Sequence, residues 1–135
     1  MEALTLGQIG LGPWGSNLAR NFNELSRLKW ICDVDASAAD RAGSRFPSTT
    51  LTDQVDDLLG DPEVDAIVVA TPVPTHAGLA KQALLAGKHV FVEKPMALDA
   101  AEAEELVAIA AERDLTLMPG HLLLYHPGVA ALKEL

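Results

Sequence analysis

Two hydrophobic patterns alternate along the chain. The first consists of apolar runs four to seven residues long and rich in β-branched side chains, which is typical of buried strands. These runs are residues 4–9, 28–33, 64–70, 89–92 and 115–118, with a weaker one at 49–51. The pattern therefore predicts six strands.

Between these runs, apolar residues recur at helical spacing and predict amphipathic helices with one apolar stripe each. The four stripes are Leu18, Phe22 and Leu25; Ala39, Ala42 and Phe46; Leu79 and Ala83; and Leu106, Ile109 and Ala110. Residues 126–135 begin a further amphipathic helix, with Val129 and Leu132 on one side. Each helix therefore has one face that must be buried.

The alternation of strands with helix-length connections determines the predicted fold class. Parallel strands need a crossover between them, and these crossovers are long enough to be helices. The unbroken apolar run at residues 67–69 predicts a central strand that is covered on both faces. We therefore predict one α/β domain, a doubly wound parallel sheet of about six strands with helices on both faces.

The chain is strongly acidic. Ten basic against nineteen acidic residues give a net charge of −9, which disfavours nucleic acid and anionic membrane surfaces as partners. The N-terminus lacks the pattern of a signal peptide and the apolar runs are too short to cross a membrane, so we expect a cytoplasmic protein. Cys32, the only cysteine, lies in an apolar run and is expected to be a packed structural thiol. No metal site is predicted.

A G-x-G-x-x-G pattern stands between the first predicted strand and the first predicted helix. In that position Gly10 permits a tight turn, Gly12 lets a pyrophosphate approach the backbone, and Gly15 lets the helix pack close to the strand. Pro13 suits a first helical turn but lacks an N–H, whereas Trp14 and Gly15 keep theirs. A dinucleotide site is therefore predicted, and a glycine-rich turn without a ligand is the alternative. Trp14 either lines this site or packs on the sheet edge.

An acidic residue ends the second predicted strand. Asp33 lies eighteen residues after Gly15, where a carboxylate can accept hydrogen bonds from both hydroxyls of an adenosine ribose. The same charge repels a 2′-phosphate, so NAD is favoured over NADP as the cofactor. Asp35 is close enough to compete for this role, and Asp33 is preferred because the apolar run ends there.

The loop after the predicted central strand supplies candidates for the nicotinamide half of the site. It leaves the edge of the sheet on which ligands bind in open α/β folds, so Thr71, Pro72 and His76 can face a bound cofactor. The alternative is that Thr75 caps the following helix and His76 is an ordinary residue of its first turn.

Glu93 and Lys94 follow the next strand at the same edge, and Pro95 restricts Lys94 to an extended backbone. An ammonium group there can orient a ribose hydroxyl, polarise a substrate hydroxyl or take part in proton transfer during hydride chemistry. The alternative is a solvated lysine at the end of a strand.

These motifs together resemble the glucose–fructose oxidoreductase / inositol dehydrogenase / MocA family. The resemblance covers essentially the whole chain, and its most specific part is the Glu-Lys-Pro block; it rests on residues 10–15, Asp33, 70–76, 86–95, 120–121 and 125–129. A methyltransferase shares the glycine-rich turn and the strand-end acid, but Glu-Lys-Pro argues against one. Within the family, nucleotide-sugar and amino-sugar dehydrogenases look most similar, judged on residues 12–17 and 123–127.

The resemblance implies a Rossmann fold in which the glycine loop and the strand-end acid hold NAD or NADP, with Glu93 beside them. It implies that Lys94 contributes to cofactor orientation and to catalysis on sugar or cyclitol hydroxyls. It also implies two segments, a dinucleotide-binding domain at 1–120 and, at 121–135, the start of a crossing into a C-terminal domain that this chain does not contain. In the family that domain builds the substrate pocket.

We therefore expect the NAD(P)-binding domain of an oxidoreductase that acts by hydride transfer on a sugar, nucleotide-sugar or cyclitol hydroxyl, incomplete as a catalyst on its own. Two alternatives stay open. In one, a second copy or a partner chain completes the site. In the other, the chain binds or senses a nucleotide without catalysis.

Overall fold

Strands and helices alternate along the computed structural model, which describes residues 3–134. The strands are β1 (Thr5–Ile9), β2 (Arg27–Cys32), β3 (Thr50–Thr52), β4 (Ala66–Val69), β5 (His89–Val92) and β6 (Leu117–Pro119). The helices are α1 (Pro13–Leu25), α2 (Ala36–Gly43), α3 (Val55–Leu59), α4 (His76–Leu85), α5 (Ala100–Glu112) and α6 (Pro127–Lys133). Each strand lies within two residues of its predicted bounds.

The strands form one parallel sheet in the order β3-β2-β1-β4-β5-β6. The chain winds outward from β1 to one edge, returns to the centre at β4 and winds outward to the other edge. The order therefore reverses between β1 and β4, which opens a crevice at their carboxyl ends. The predicted doubly wound fold is confirmed.

Two apolar cores lie on opposite faces of this sheet. One contains Ile67 and Val69 of β4 with residues of α3, α4 and α5, and the other contains Val68 with residues of α1 and α2. All three β4 side chains are at most 1% exposed. The prediction of a central strand that is covered on both faces is therefore confirmed.

Local sequence signals set several helix ends. Asp35 and Asp99 precede α2 and α5, and their carboxylates accept hydrogen bonds from first-turn N–H groups. Gly87, with φ +78°, follows the last turn of α4 in the left-handed conformation that commonly ends a helix. The short connections that fix the strand positions are thus encoded locally.

Three details differ from the prediction or fall outside the description. The helix α3 was not predicted, because five residues are too few to show a helical period, although its Leu58 is fully buried. Leu25, placed on the apolar stripe of α1, is 78% exposed because the helix ends there. The side chain of Ala39 and the terminal Leu135 lie outside the described residues.

The last described segment, residues 121–134, carries many exposed apolar side chains. A 3₁₀ turn (Leu122–Tyr125) precedes α6, and its four residues are all more than half exposed. Val129 and Leu132 lie on α6 as predicted, and Leu132 is also exposed. In residues 3–134 we find no helix that is both long and apolar enough to cross a membrane.

Candidate functional site

A cavity of about 660 Å³ opens at the carboxyl ends of β1, β2 and β4, where the strand order reverses. Its volume is in the range of small-molecule and cofactor sites. Eight of the predicted site residues line it: Gly10, Gly12, Pro13, Trp14, Gly15, Asp33, Thr71 and Pro72. The fold thus gathers the glycine loop, the end of β2 and the loop after β4 around one space.

The glycine loop is held too tightly for side chains at two of its positions. Gly10 has φ +94°, and a Cβ there would lie 2.4 Å from the carbonyl oxygen of Ala70 at the end of β4. A Cβ at Gly15 would lie 2.5 Å from the carbonyl oxygen of Gly10. A Cβ at Gly12 meets nothing within 4 Å, so the loop leaves open space at that point of the cavity wall.

The helix α1 begins directly behind this loop. Pro13 is its first residue, Gly12 caps it without a side-chain hydrogen bond, and its first turn holds no acidic residue. The first-turn N–H groups have no partner within the helix, and they carry the positive end of its dipole. A diphosphate therefore fits this position without a basic side chain.

A buried amide on β1, which sequence reasoning missed, holds the loop from below. Gln8 is fully buried, and its Nε2 donates to the carbonyl oxygens of Gly10 at 2.9 Å and Gly15 at 2.7 Å. In the described part of the chain, its Oε1 has no hydrogen-bond partner. The available signal was one polar residue inside an apolar strand run.

The two acids after β2 are held by different partners. Asp33 accepts hydrogen bonds from the backbone N–H of Leu11 at 2.7 Å, through Oδ2, and of Asp35 at 2.9 Å, through Oδ1. A carboxylate has about four acceptor sites, so Asp33 keeps capacity for ribose hydroxyls. This geometry favours Asp33 over Asp35 as the ribose ligand.

The Asp35 carboxylate is engaged by its own helix. It accepts hydrogen bonds from the N–H of Ser37 at 2.9 Å and from its hydroxyl at 2.8 Å, and it lies 3.7 Å from the Arg41 guanidinium. These bonds from Ser37, followed by Arg41, lower the pKa of Asp35. Both Asp35 and Arg41 line the same cavity as Asp33.

A second cavity, of about 430 Å³, adjoins the first and is lined by Trp14, Thr71, His76, Glu93 and Lys94 among others. Glu93 is only 7% exposed, and its Oε1 accepts a hydrogen bond of 2.7 Å from the indole Nε1 of Trp14. Lys94 is exposed, and its peptide bond to Pro95 is cis. Trp14 thus lines both cavities and also connects the glycine loop to the end of β5.

His76 joins the loops that follow β4 and β5. It is 2% exposed, with Nδ1 at 2.8 Å from the carbonyl oxygen of Pro95 and Nε2 at 2.7 Å from that of Thr71. His76 is also the first residue of α4, as the alternative interpretation expected. Thr75, however, makes no side-chain cap, because its hydroxyl donates to the carbonyl oxygen of Pro72.

Cys32 lies beneath the first cavity at the end of β2. It is 1% exposed, and burial, assisted by the nearby charges of Asp33, Asp53 and Asp57, raises the pKa of its thiol to about 11. The thiolate is therefore scarce at neutral pH, as expected of a packed structural cysteine. Within residues 3–134 we find no cluster of three or more His, Cys, Asp or Glu side chains that could hold a metal ion.

Comparison with known proteins matches residues 4–121 to the model described as "Oxidoreductase family, NAD-binding Rossmann fold". UDP-N-acetylglucosamine 3-dehydrogenase from Acidithiobacillus ferrooxidans is 37% identical over 99% of this chain and 42% of its own length. Among solved structures, a protein of gentamicin A biosynthesis in complex with NAD is 34% identical over 94% of this chain and 37% of its own, with a TM-score of 0.89.

The scyllo-inositol dehydrogenase from Lactobacillus casei, solved with NAD(H) and scyllo-inositol, is 26% identical over 93% of this chain and 38% of its own. Its TM-score is 0.85. The chain therefore spans about two fifths of the length of the relatives that it matches.

Proposed function

This chain belongs to the oxidoreductase family with an NAD-binding Rossmann fold, the glucose–fructose oxidoreductase / inositol dehydrogenase / MocA family, and from that premise we propose that NAD lies across the two adjoining cavities. The observation that carries the proposal is the glycine loop, which is pinned at Gly10 and Gly15 yet open at Gly12. The loop thus offers first-turn N–H groups to a pyrophosphate on the cavity that Asp33 also lines.

The two halves of the cofactor meet different residues in this proposal. Asp33 accepts from the adenosine ribose, and its charge disfavours a 2′-phosphate, so NAD is preferred to NADP. Thr71, Pro72, His76, Glu93 and Lys94 surround the nicotinamide half, where the loops after β4 and β5 meet. Of these, His76 acts by holding the two loops together, because both of its ring nitrogens face backbone carbonyls.

The proposed reaction oxidises a sugar, nucleotide-sugar or cyclitol alcohol to a ketone, or the reverse. The bound cofactor supplies the acceptor for the hydride that leaves the alcohol carbon. The hydroxyl proton passes from the oxygen to a water molecule, and the exposed Lys94 orients that hydroxyl and stabilises the negative charge that develops on it. Two similar proteins support this substrate class: a UDP-N-acetylglucosamine dehydrogenase and a scyllo-inositol dehydrogenase.

Residues beyond the matched domain complete the catalyst in this proposal. The family match covers residues 4–121. We propose that residues 1–120 are the dinucleotide-binding domain and that 121–135 begin a crossing toward further structure. The exposed apolar side chains of residues 122–132 support this division. A C-terminal domain, a partner chain or a second copy would then supply the substrate-binding residues.

Titration calorimetry of the purified chain with NAD and with NADP tests the cofactor site. We expect NAD to bind more tightly than NADP, and Asp33→Ala to weaken NAD by about tenfold or more, because charge-assisted hydrogen bonds to the ribose are lost. Asp40→Ala is the matched control, since Asp40 is exposed on α2 and does not line the cavity. Failure of the folded wild-type chain to bind either nucleotide would contradict the proposal.

A further inference from the structure

The guanidinium of Arg41 lines the proposed NAD cavity at its adenosine end. The charged side chains on the wall of that cavity are Asp33, Asp35 and Arg41. Arg41 lies in the last turn of α2, and no pattern in the sequence pointed to it. A guanidinium on the same cavity wall as the strand-end carboxylate Asp33 is unexpected in a site that excludes a phosphate, because arginine binds phosphate oxygens in a bidentate geometry.

The Arg41 side chain is already engaged by two residues at the start of its own helix. Its Nη1 donates to the hydroxyl of Ser37 at 2.8 Å, and its Nη2 lies 3.7 Å from Oδ2 of Asp35. The Ser37 hydroxyl in turn donates to the same carboxylate oxygen at 2.8 Å. Asp35 therefore occupies both groups that could otherwise donate to an anion.

The side chains of Asp35 and Arg41 are both more than half exposed. An ion pair in that setting is weak, because water and salt screen it. A doubly charged phosphate would therefore compete for the guanidinium, and the position of the equilibrium depends on the charge of residue 35. A competing anion can therefore displace Asp35 from Arg41.

We propose that Asp35 strengthens the preference for NAD over NADP by holding Arg41 and Ser37 away from a 2′-phosphate. The inference rests on the proposed NAD site and deepens it. Asp33 binds the ribose, while Asp35 masks a latent phosphate site formed by the Arg41 guanidinium and the Ser37 hydroxyl. Loss of the charge at residue 35 uncovers that site.

Asp35→Asn is the variant that separates this role from folding. Asparagine caps helices about as well as aspartate, so the bond from the N–H of Ser37 is retained while the charge is removed. Asp40→Asn is the matched control, because it removes the same charge from an exposed position on the same helix, away from the cavity. Thermal melting followed by circular dichroism verifies that each variant is folded.

The experiment is a calorimetric titration of wild type, Asp35→Asn, Asp40→Asn and the double variant Asp35→Asn/Arg41→Ala with NAD and with NADP. We expect Asp35→Asn to lower the ratio of the NADP Kd to the NAD Kd by about tenfold or more, the size of one charge-assisted hydrogen bond. The double variant should return the ratio to near the wild-type value. Asp40→Asn should leave it within about twofold of wild type, because the charge of Asp40 is exposed to solvent, does not line the cavity and is screened.

Three results would overturn the inference. The first is an unchanged ratio in Asp35→Asn while NAD still binds, and the second is a gain that survives in the double variant. The third is an equal gain in Asp40→Asn, which would indicate a general effect of net charge. If the folded wild-type chain binds neither nucleotide, the proposed function itself fails, and the inference falls with it.

Discussion

The two ends of the parallel sheet are held together by different chemistry. At the amino end, Lys29 forms ion pairs of 2.6 Å with Asp61 and 3.0 Å with Glu63, and Arg27 pairs with Glu63 at 3.1 Å. We call these four residues the amino-end network. At the carboxyl end, the connections are instead a buried amide, an indole N–H and an imidazole, which bind carbonyl oxygens or a carboxylate.

The difference shows how one sheet separates charge pairing from cofactor binding. In the amino-end network each charged side chain pairs with one of opposite charge, so few hydrogen-bonding groups are left to bind a ligand. At the carboxyl end, hydrogen bonds to backbone carbonyls and to the Glu93 carboxylate hold the loops in place, while the first-turn N–H groups of α1 and the free acceptor sites of Asp33 stay available. A polar but sparsely charged framework therefore suits the end that must receive a charged cofactor.

Substitutions in the glycine loop should have the largest effect. Gly10→Ala forces a Cβ to within 2.4 Å of the Ala70 carbonyl oxygen at φ +94°, and we expect a loss of about 3 kcal/mol or more in the free energy of unfolding. Gly12→Ala is the matched variant, because its Cβ meets no atom within 4 Å. It should fold nearly normally and lose NAD affinity, since the methyl group stands where the pyrophosphate approaches.

Urea denaturation and NAD titration of these two variants measure the comparison. Equal stability of Gly10→Ala and Gly12→Ala would show that the close approach of the loop to β4 does not constrain the fold. Unchanged NAD affinity in Gly12→Ala would place the pyrophosphate elsewhere.

Substitution of the buried Gln8 amide beneath the loop should have the second largest effect. Gln8→Met keeps the size of the side chain but leaves the carbonyl oxygens of Gly10 and Gly15 without this donor, so we expect a loss of about 1–3 kcal/mol in stability, with weaker NAD binding. Gln82→Met, on the exposed side of α4, is the control for the chemical change itself. Equal denaturation midpoints for the two variants would remove Gln8 from the support of the loop.

The amino-end network should give the smallest effect at neutral pH, because its ion pairs are partly exposed and screened. The hydrogen bond from Lys29, followed by those from Trp30 and the N–H of Glu63, lowers the pKa of Asp61 well below its usual range. Its contribution is therefore present above the unfolded pKa of about 4 and is lost as pH falls through the lower folded pKa.

Asp61→Asn should accordingly make the unfolding free energy less dependent on pH below about 4, while NAD affinity at neutral pH stays at the wild-type value. Denaturant melts across that pH range, together with an NAD titration at neutral pH, check both statements. A loss of NAD affinity in Asp61→Asn would break the separation between the two ends of the sheet.

Features encoded by neighbouring residues were predictable from the sequence. Strand runs, helical stripes and the glycine pattern each depend on local spacing, and the doubly wound parallel sheet followed from the helix-length crossovers. The helix α3 was not predicted, because five residues are too few to show the helical period of apolar positions. Its Leu58 nevertheless packs so close to β1 that a Cβ at Gly7 would lie 2.9 Å from the leucine side chain.

The supports of the site were not predictable in the same way. Trp14 and Glu93 are 79 residues apart in the chain, and His76 reaches Pro95 across 19 residues. No local pattern specifies such pairings, because they depend on how the β4 and β5 loops meet after folding. The sequence identified which residues stand at the binding edge, and the structure adds what holds them there.

Each of the two tryptophans reports on a different end of the sheet. The indole of Trp14 borders both cavities and donates to Glu93, whereas the indole of Trp30 donates to Asp61 at 2.7 Å. The protein therefore carries two intrinsic fluorophores, one beside the cofactor site and one in the region of ion pairs. With Trp30 replaced by phenylalanine, the remaining emission becomes an optical signal from the binding end alone.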